Sequence, residues 1–399
     1  MAKNIIFCAD GTWNGPGNAD IDTKDATTNV FKLFLNLGGT DAASTTLLEK
    51  EQERVLQDAA GETAQIAKYL HGVGDSDNFL VRLLGGSLGA GLITRIVRGY
   101  TFVSRNYRPG DRIILIGFSR GAYTARALAG LIAAKGVLDA SKLDASKTDE
   151  ENKKAAYRLG TAVWYDYRRA ALKTRRGLLG RLQELVTDLP GFVSRPPKAD
   201  LLCPAEIEAI GVWDTVGALG IPTYNVTLDR MDLFQFADTK LSGVVKNGYH
   251  AVAIDELRKD FTPTAWDTDP RVRQVLFPGA HSDVGGGYPR EKNESGLSDG
   301  ALAWMMARLR DHGVRFSKTL TVEPKPDHLA PSHQPWKSKV FLTGPREFPM
   351  DLLLSDSAVK RLKAGEAPDE PGGPLRPYSP VSLKAYWVDG KLAPGVAVG

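Results

Sequence analysis

The sequence predicts an α/β fold with a largely parallel central sheet flanked by helices. Three observations carry that expectation. Short strand-like segments at 3–9, 112–117, 207–213 and 272–277 each end in a turn rich in Gly, Asp or His. Helical patterns separate them, and alternation of strand and helix at this spacing belongs to parallel sheets with crossover helices. The run Arg112 to Gly117 (R-I-I-L-I-G) is continuously apolar rather than alternating, as a central strand covered on both faces requires. In such sheets ligands bind outside the carboxyl ends of the strands, so the informative residues should follow strands directly.

Taken in chain order, Lys3 to Ala9 is a β-prone run that ends in Asp10-Gly11-Thr12-Trp13-Asn14. Residues 29–37 and 45–60 read as helices, and 65–70 as a weaker strand before His71-Gly72-Val73-Gly74-Asp75. A glycine-rich patch, Gly85 to Gly91, precedes a helical pattern that Arg108-Pro109-Gly110-Asp111 stops near Tyr107. This patch lacks the lysine and spacing of a phosphate-binding loop. The strand 112–117 leads straight into a helix from Arg120 to about Ala134. Residues 140–200 form a helical, basic insertion, in which Tyr157 to Pro190 holds seven Lys/Arg against three Asp/Glu. Strands follow at 207–213 and 272–277, and His250 opens a stretch read as helical. From Lys318 onward Pro and Gly become dense, so the expected organisation is a catalytic domain over 1–317 with an extension, 318–399, packed on it.

Composition narrows the function classes. The chain has 399 residues, 42% apolar and 25% charged, enough to build a sizeable core and unlike a disordered or collagenous chain. Its net charge of +4 is spread thinly, unlike the concentrated field of a nucleic-acid binder, so no nucleic-acid partner is expected. The two cysteines, Cys8 and Cys203, lie nowhere near metal-ligand spacing. The start of the chain does not read as a signal peptide, and no apolar run approaches the roughly 18 residues of a membrane span. The expectation is a protein made in the cytosol, with any export by a route other than general secretion.

The chemistry is concentrated at the strand ends. Gly117-Phe118-Ser119-Arg120-Gly121 joins the clearest strand to a helix, the setting of a nucleophile elbow in which Ser119 sits on a sharp turn between small residues. A serine hydroxyl is a poor nucleophile at neutral pH and needs a histidine base oriented by a carboxylate. In α/β hydrolases these follow the nucleophile in the order acid, then histidine. Of six histidines, His71 precedes Ser119, His312 follows a helical pattern, and His328 and His333 lie in the Pro-rich tail. His281, on a glycine-rich loop after the strand 272–277, is preferred, with His250 as the alternative. Asp214, at the end of the strand 207–213, is the preferred carboxylate over Asp283, which shares the loop of His281. Backbone N–H groups for an oxyanion are expected from Arg120 and from Gly11 or Thr12. Asp10 either braces that loop or joins Asp283 around a cation; carboxylates at this spacing do not by themselves make a metal site, and neither metal nor cofactor is predicted.

Together with Gly72-Val73-Gly74, the elbow from Gly117 to Arg126, Gly211 to Gly217, His250 to Glu256, Phe261-Thr262-Pro263, Trp266 and Pro278 to Gly286, the Asp10 to Asn14 segment resembles one family. That family is a set of α/β-hydrolase domains, many without an assigned substrate, that includes phospholipase effectors of bacterial type VI secretion. The resemblance runs from about residue 3 to 315. It implies an α/β-hydrolase fold, a triad of Ser119, Asp214 and His281, and cleavage of phospholipid acyl esters by an effector toxic to rival cells. It also makes a secretion-apparatus component or an immunity protein the partner to look for. The rival functions are a soluble carboxylesterase or acyltransferase acting on a small polar ester, and an idle hydrolase fold used for binding. Trp164, Tyr165, Tyr167, Leu172, Leu178, Leu179 and Leu182 lie among the arginines of the insertion. They suit either peripheral membrane contact as an interfacial lid or a cap helix packed on the core.

Overall fold

The computed structural model describes residues 2–11, 27–42, 51–72, 88–142, 149–173, 198–216, 239–337 and 341–399. Nine strands form one sheet: β1 (Asn4–Ala9), β2 (Thr40–Asp41), β3 (Glu51–Gln57), β4 (Thr63–Leu70), β5 (Arg112–Phe118), β6 (Ile207–Trp213), β7 (Gly248–Ala253), β8 (Val272–Phe277) and β9 (Leu353–Leu354). Their spatial order is β9-β8-β7-β6-β5-β1-β4-β3-β2. All neighbours from β9 to β4 are parallel, and only β3 and β2 are antiparallel additions at one edge. With helices on both faces and the strand–turn–helix at Ser119, this is the α/β-hydrolase fold.

The helices are α1 (Asn29–Asn36), α2 (Leu88–Asn106), α3 (Arg120–Lys135), α4 (Asp149–Lys173), α5 (His281–Gly285), α6 (Gly296–Asp311) and α7 (Asp356–Ala364). The unbroken apolar character of β1 and β5 is explained by the two cores they separate. Ile5, Phe7, Ile113 and Leu115 face one way and pack with Ile96, Tyr100, Leu128 and Trp164 of α2, α3 and α4. Ile6, Cys8, Ile114 and Ile116 face the other way, against Leu33 and Phe34 of α1 and Leu302 and Met305 of α6. Each such side chain, fully buried, contributes about 1.5–3 kcal/mol, so these strands anchor the fold. The second core also holds an ion pair between Lys32 Nζ and Asp299 Oδ1 at 3.1 Å, with both side chains fully buried.

Two expectations need correction, and one pair of open alternatives is narrowed. The helix expected over 45–60 is, in its described part, the strand β3. Its sequence E-Q-E-R-V-L-Q is built of helix formers, but pairing overrides propensity. The turn at Asp58 to Glu62, with Gly61 at φ 79°, folds it back antiparallel on β4, and Lys68 of β4 pairs with both Glu51 and Glu53. The stretch opened by His250 is the interior strand β7, with a fully buried His250, not a helix. Trp164 is buried against the core rather than presented to an interface, and Arg168 beside it is buried too. The described half of the basic insertion, α4, is thus a cap helix on α2 and α3; Leu178, Leu179 and Leu182 lie outside the described residues. No helix among the described residues is long and apolar enough to cross a membrane.

Beyond residue 317 the chain contributes to the same sheet. β9 pairs parallel with β8, and α7 packs Val359 and Leu362 over Val252 and Leu276 of β7 and β8. A second tie is His333, whose Nδ1 lies 2.6 Å from Asp283 Oδ1 and whose Nε2 lies 3.1 Å from Glu294 Oε2, with its ring stacked on Tyr288. Burial would lower this imidazole, but the two carboxylates raise it above the ordinary histidine range. A raised histidine stabilises the folded state fully below its unfolded value near 6.5, and that stabilisation fades as pH climbs through the folded value. His333→Gln should therefore cost about 1–3 kcal/mol near pH 6 and much less near pH 9. Urea unfolding of both proteins at the two pH values would reveal this, and an equal cost at both would refute it.

Candidate active site

Two strand ends meet where the chain order of the sheet reverses, between β1 and β5, and this crevice is where an open α/β sheet binds ligands. Ser119 stands at the end of β5 with φ 55° and ψ −119°, a strained conformation that lifts its side chain out of the turn. The flanking glycines are required. A Cβ on Gly117 would collide with the Gly121 carbonyl oxygen, and one on Gly121 with the Ala9 carbonyl oxygen. The turn is pinned to the next strand by the Ser119 N–H, which donates to the Trp213 carbonyl at 3.1 Å.

That bond brings Ser119 alongside Asp214, the residue that ends β6. Asp214 is wholly buried and also has positive φ, 34°. His281 Nδ1 lies 2.5 Å from Asp214 Oδ2. The other oxygen, Oδ1, accepts from the Ala253 N–H at 3.0 Å. Arg346 reaches both: Nη1 to Oδ1 at 2.7 Å and Nη2 to Oδ2 at 2.9 Å. Burial alone would raise the Asp214 carboxyl, but the Arg346 guanidinium and the His281 hydrogen bond hold it well below the usual carboxylate range. An ionised acceptor places the proton on His281 Nδ1 and leaves Nε2 as the basic nitrogen.

His281 opens the short helix α5. Its ring lies between Phe118, 4.6 Å away, and the edge-on ring of Phe261, at 5.0 Å, while its N–H donates to Glu256 Oε2 at 3.2 Å. Glu256 is in turn bound by Arg258, which stacks on Phe261. Burial lowers the imidazole more than Asp214 raises it, so His281 sits below the ordinary histidine range and is neutral at pH 7. The acid limb of a kcat/KM profile should accordingly fall below pH 6.5, with a plateau through neutrality. A limb centred above pH 7 would refute that assignment.

The alternatives for base and acid are otherwise engaged. His250 Nε2 accepts the Thr215 N–H at 3.1 Å and Nδ1 lies 3.3 Å from Gln274 Oε1, while burial and then Arg126 push it down to about 3. It supports the segment just after Asp214 from behind. Asp283 accepts from the N–H groups of Ala280 and His333 and from the His333 ring.

Asp10, under the expected oxyanion loop, acts as a brace. Its carboxylate accepts from the Thr28 and Tyr69 hydroxyls and from the Gly11 N–H, each at 2.6 Å, while burial raises it to about 6. Gly11 lies against Ser119, where a Cβ would come 3.3 Å from the serine Cβ. Its N–H is directed at Asp10, however, which removes it as the donor expected there. Arg120 begins α3, so its N–H lies at a helix N-terminus. Thr12, the other expected donor, lies outside the described residues, as do Val73 to Asp75 and Gly85 to Ser87. Among the described residues no group of three His, Cys, Asp or Glu side chains could hold a metal ion.

Arg346, Glu256 and Arg258 were not singled out from sequence. Glu256 follows β7 closely, and the strand-end rule that found Asp214 and His281 would have reached it too. Arg346 carries no local signal.

The sequence profile of the type VI secretion phospholipase effector Tle1-like catalytic domain matches residues 3–308. The chain belongs to this family. It is also similar to the uncharacterized protein YEL023C of Saccharomyces cerevisiae, 27% identical over 287 residues. That match covers 69% of this chain and 34% of the yeast protein, so the chain spans about a third of the length of that relative. Among solved structures it is similar to an uncharacterized protein from Pseudomonas aeruginosa (17% identity, TM-score 0.43, covering 79% of this chain and 46% of that one). A Tle1 effector bound to the VgrG spike of the type 6 secretion system is 18% identical, with TM-score 0.37 and coverage of 72% and 51%. A putative carboxylesterase from Lactobacillus plantarum is 13% identical, with TM-score 0.28 and coverage of 79% and 87%.

Proposed function

We propose that this chain is a serine hydrolase that cleaves the acyl esters of phospholipids or related lipids through Ser119, His281 and Asp214. The observation that carries the reading is the 2.5 Å contact from His281 Nδ1 to Asp214 Oδ2 beside an elbow serine held at positive φ. Family membership supplies the substrate class.

In this mechanism Ser119 Oγ attacks the acyl carbonyl carbon while His281 Nε2 takes the hydroxyl proton. Asp214 holds the ring and stabilises the imidazolium. The Arg120 N–H, at the start of α3, bears the oxyanion. Collapse of the tetrahedral intermediate expels the alkoxide, which receives the proton from His281 and leaves Ser119 acylated. Water then gives a proton to His281 as it attacks, and the fatty acid departs as Ser119 regains its hydrogen. A secretion spike is the carrier proposed for export.

Release of fatty acid from phospholipid vesicles and hydrolysis of a water-soluble short-chain ester, each by wild type with Ser119→Ala as the blank, test the reading. Serine-dependent release with higher turnover on vesicles is expected. Hydrolysis of the soluble ester with no release from vesicles would replace the lipid substrate by a small ester, and no serine-dependent reaction on either would overturn the hydrolase reading.

A further inference from the structure

We infer that Arg346 is a positioning residue for the catalytic carboxylate, so that the extension beyond residue 317 is a working part of the active site. The inference rests on the triad reading above and deepens it. Residue 346 lies beyond the matched catalytic region, 3–308. Yet its side chain, 4% exposed, enters the site and spends its Nη1 and Nη2 donors there. Nη1 donates to Asp214 Oδ1 and to the Ala253 carbonyl, both at 2.7 Å. Nη2 donates to Asp214 Oδ2 at 2.9 Å and to the Phe261 carbonyl.

These partners are the groups that fix His281. Asp214 holds its Nδ1, Ala253 N–H holds the other Asp214 oxygen, and the Phe261 ring packs on the imidazole at a steep angle. A planar guanidinium suits this task because it binds both oxygens of one carboxylate while its outer hydrogens reach two carbonyls; an ammonium cannot. The main chain that carries it is fastened through β9 to the sheet and to the facing segment 257–259, where the Lys259 N–H donates to the Leu342 carbonyl and the Gly344 N–H donates to the Leu257 carbonyl.

The charge has a second consequence. The imidazolium formed in the transition state must share Asp214 with a guanidinium already bound to it. Arg346 therefore restrains the basicity of His281 and keeps it neutral at lower pH. The other charged groups facing His281 are Glu256 and Arg258 from the segment after β7, which bind each other. Asp283, on the same short helix, is committed to His333.

The test is the pH profile of ester hydrolysis by Arg346→Met, Arg346→Lys and Arg361→Met beside wild type. Arg361 ties the extension together through the carbonyls of His328, Ala330 and Pro368, without touching Asp214. Arg346→Met should lower kcat/KM about 10- to 100-fold and move the acid limb up by about one pH unit. Arg346→Lys keeps the charge but loses the fork, so it should lower kcat about 10-fold with KM and the limb unchanged. Arg361→Met should lower the Tm and leave the limb in place. In an Asp214→Asn background, Arg346→Met should add less than about threefold, because it acts through the carboxylate.

A wild-type limb and rate in Arg346→Met would overturn the inference, as would an equal limb shift in Arg361→Met or an additive loss in the double variant. Should Arg346→Met fail to fold, the lysine variant decides: wild-type kcat refutes a positioning role. Wild type lacking any Ser119-dependent hydrolysis would remove the triad reading as well, whereas a Ser119-dependent enzyme indifferent to Arg346 removes this inference alone.

Discussion

Ser119→Ala is expected to lower kcat about 10⁵- to 10⁶-fold while leaving the fold untouched. The asymmetry follows from how the serine is held. Its backbone maintains the turn, through the N–H donated to the Trp213 carbonyl and the Tyr123 N–H donated to its own carbonyl. Its hydroxyl makes no capping hydrogen bond to α3. Alanine bears φ 55° no better than serine and no worse, so the change in stability should stay within about 1 kcal/mol. Labelling by a fluorophosphonate, with a thermal melt of the same preparations, separates the two effects. A variant that melts like wild type and is not labelled fits the elbow reading. One labelled at the wild-type rate would place the nucleophile elsewhere, and one that no longer folds would make the serine structural.

What could be read from sequence divides by how locally each feature is determined. β1, β5 and β6 are mostly apolar runs buried on both faces, and β8 ends in one (V-L-F), so each is bounded to within a residue or two because the pattern sits in the strand itself. The elbow was legible for the same reason: Gly117 and Gly121 are demanded by backbone atoms a few residues away and by β1, which any such turn must cross. Ser119, Asp214 and His281 could be ordered because each follows its own strand. The strand β3 was not legible, since its residues favour helix and only pairing with β4 decides otherwise. His250 was misread because a histidine among alanines and valines shows no period, and its buried neutrality depends on Thr215, Gln274 and Arg126 from distant segments. Arg346 had no chance of detection. It sits among proline and glycine in an irregular segment, and its meaning lies wholly in a carboxylate 132 positions earlier.

The second large effect should come from Asp214→Asn, which lowers kcat about 10⁴-fold by turning the base around. The Asp214 carboxylate is an acceptor on every side: Oδ1 faces the Ala253 N–H and Arg346 Nη1, while Oδ2 faces Arg346 Nη2 and His281 Nδ1. An asparagine must put its NH₂ group at one of these two oxygens. At Oδ1 it would meet two fixed donors, one of them main chain. At Oδ2 it meets one fixed donor and an imidazole that can change tautomer, so the amide should settle there. His281 then accepts through Nδ1 and carries its proton on Nε2, where it can no longer take one from Ser119. The same substitution leaves the buried guanidinium of Arg346 with half its fork opposed, a cost of about 2–4 kcal/mol in unfolding free energy. The two consequences are separable. Adding Arg346→Met should restore stability without restoring rate, because removing the cation relieves the clash but not the tautomer. Urea unfolding and single-turnover acylation measured on the same three proteins would read both. Recovery of rate along with stability would mean that Asp214 serves the fold and that the histidine takes its orientation from elsewhere.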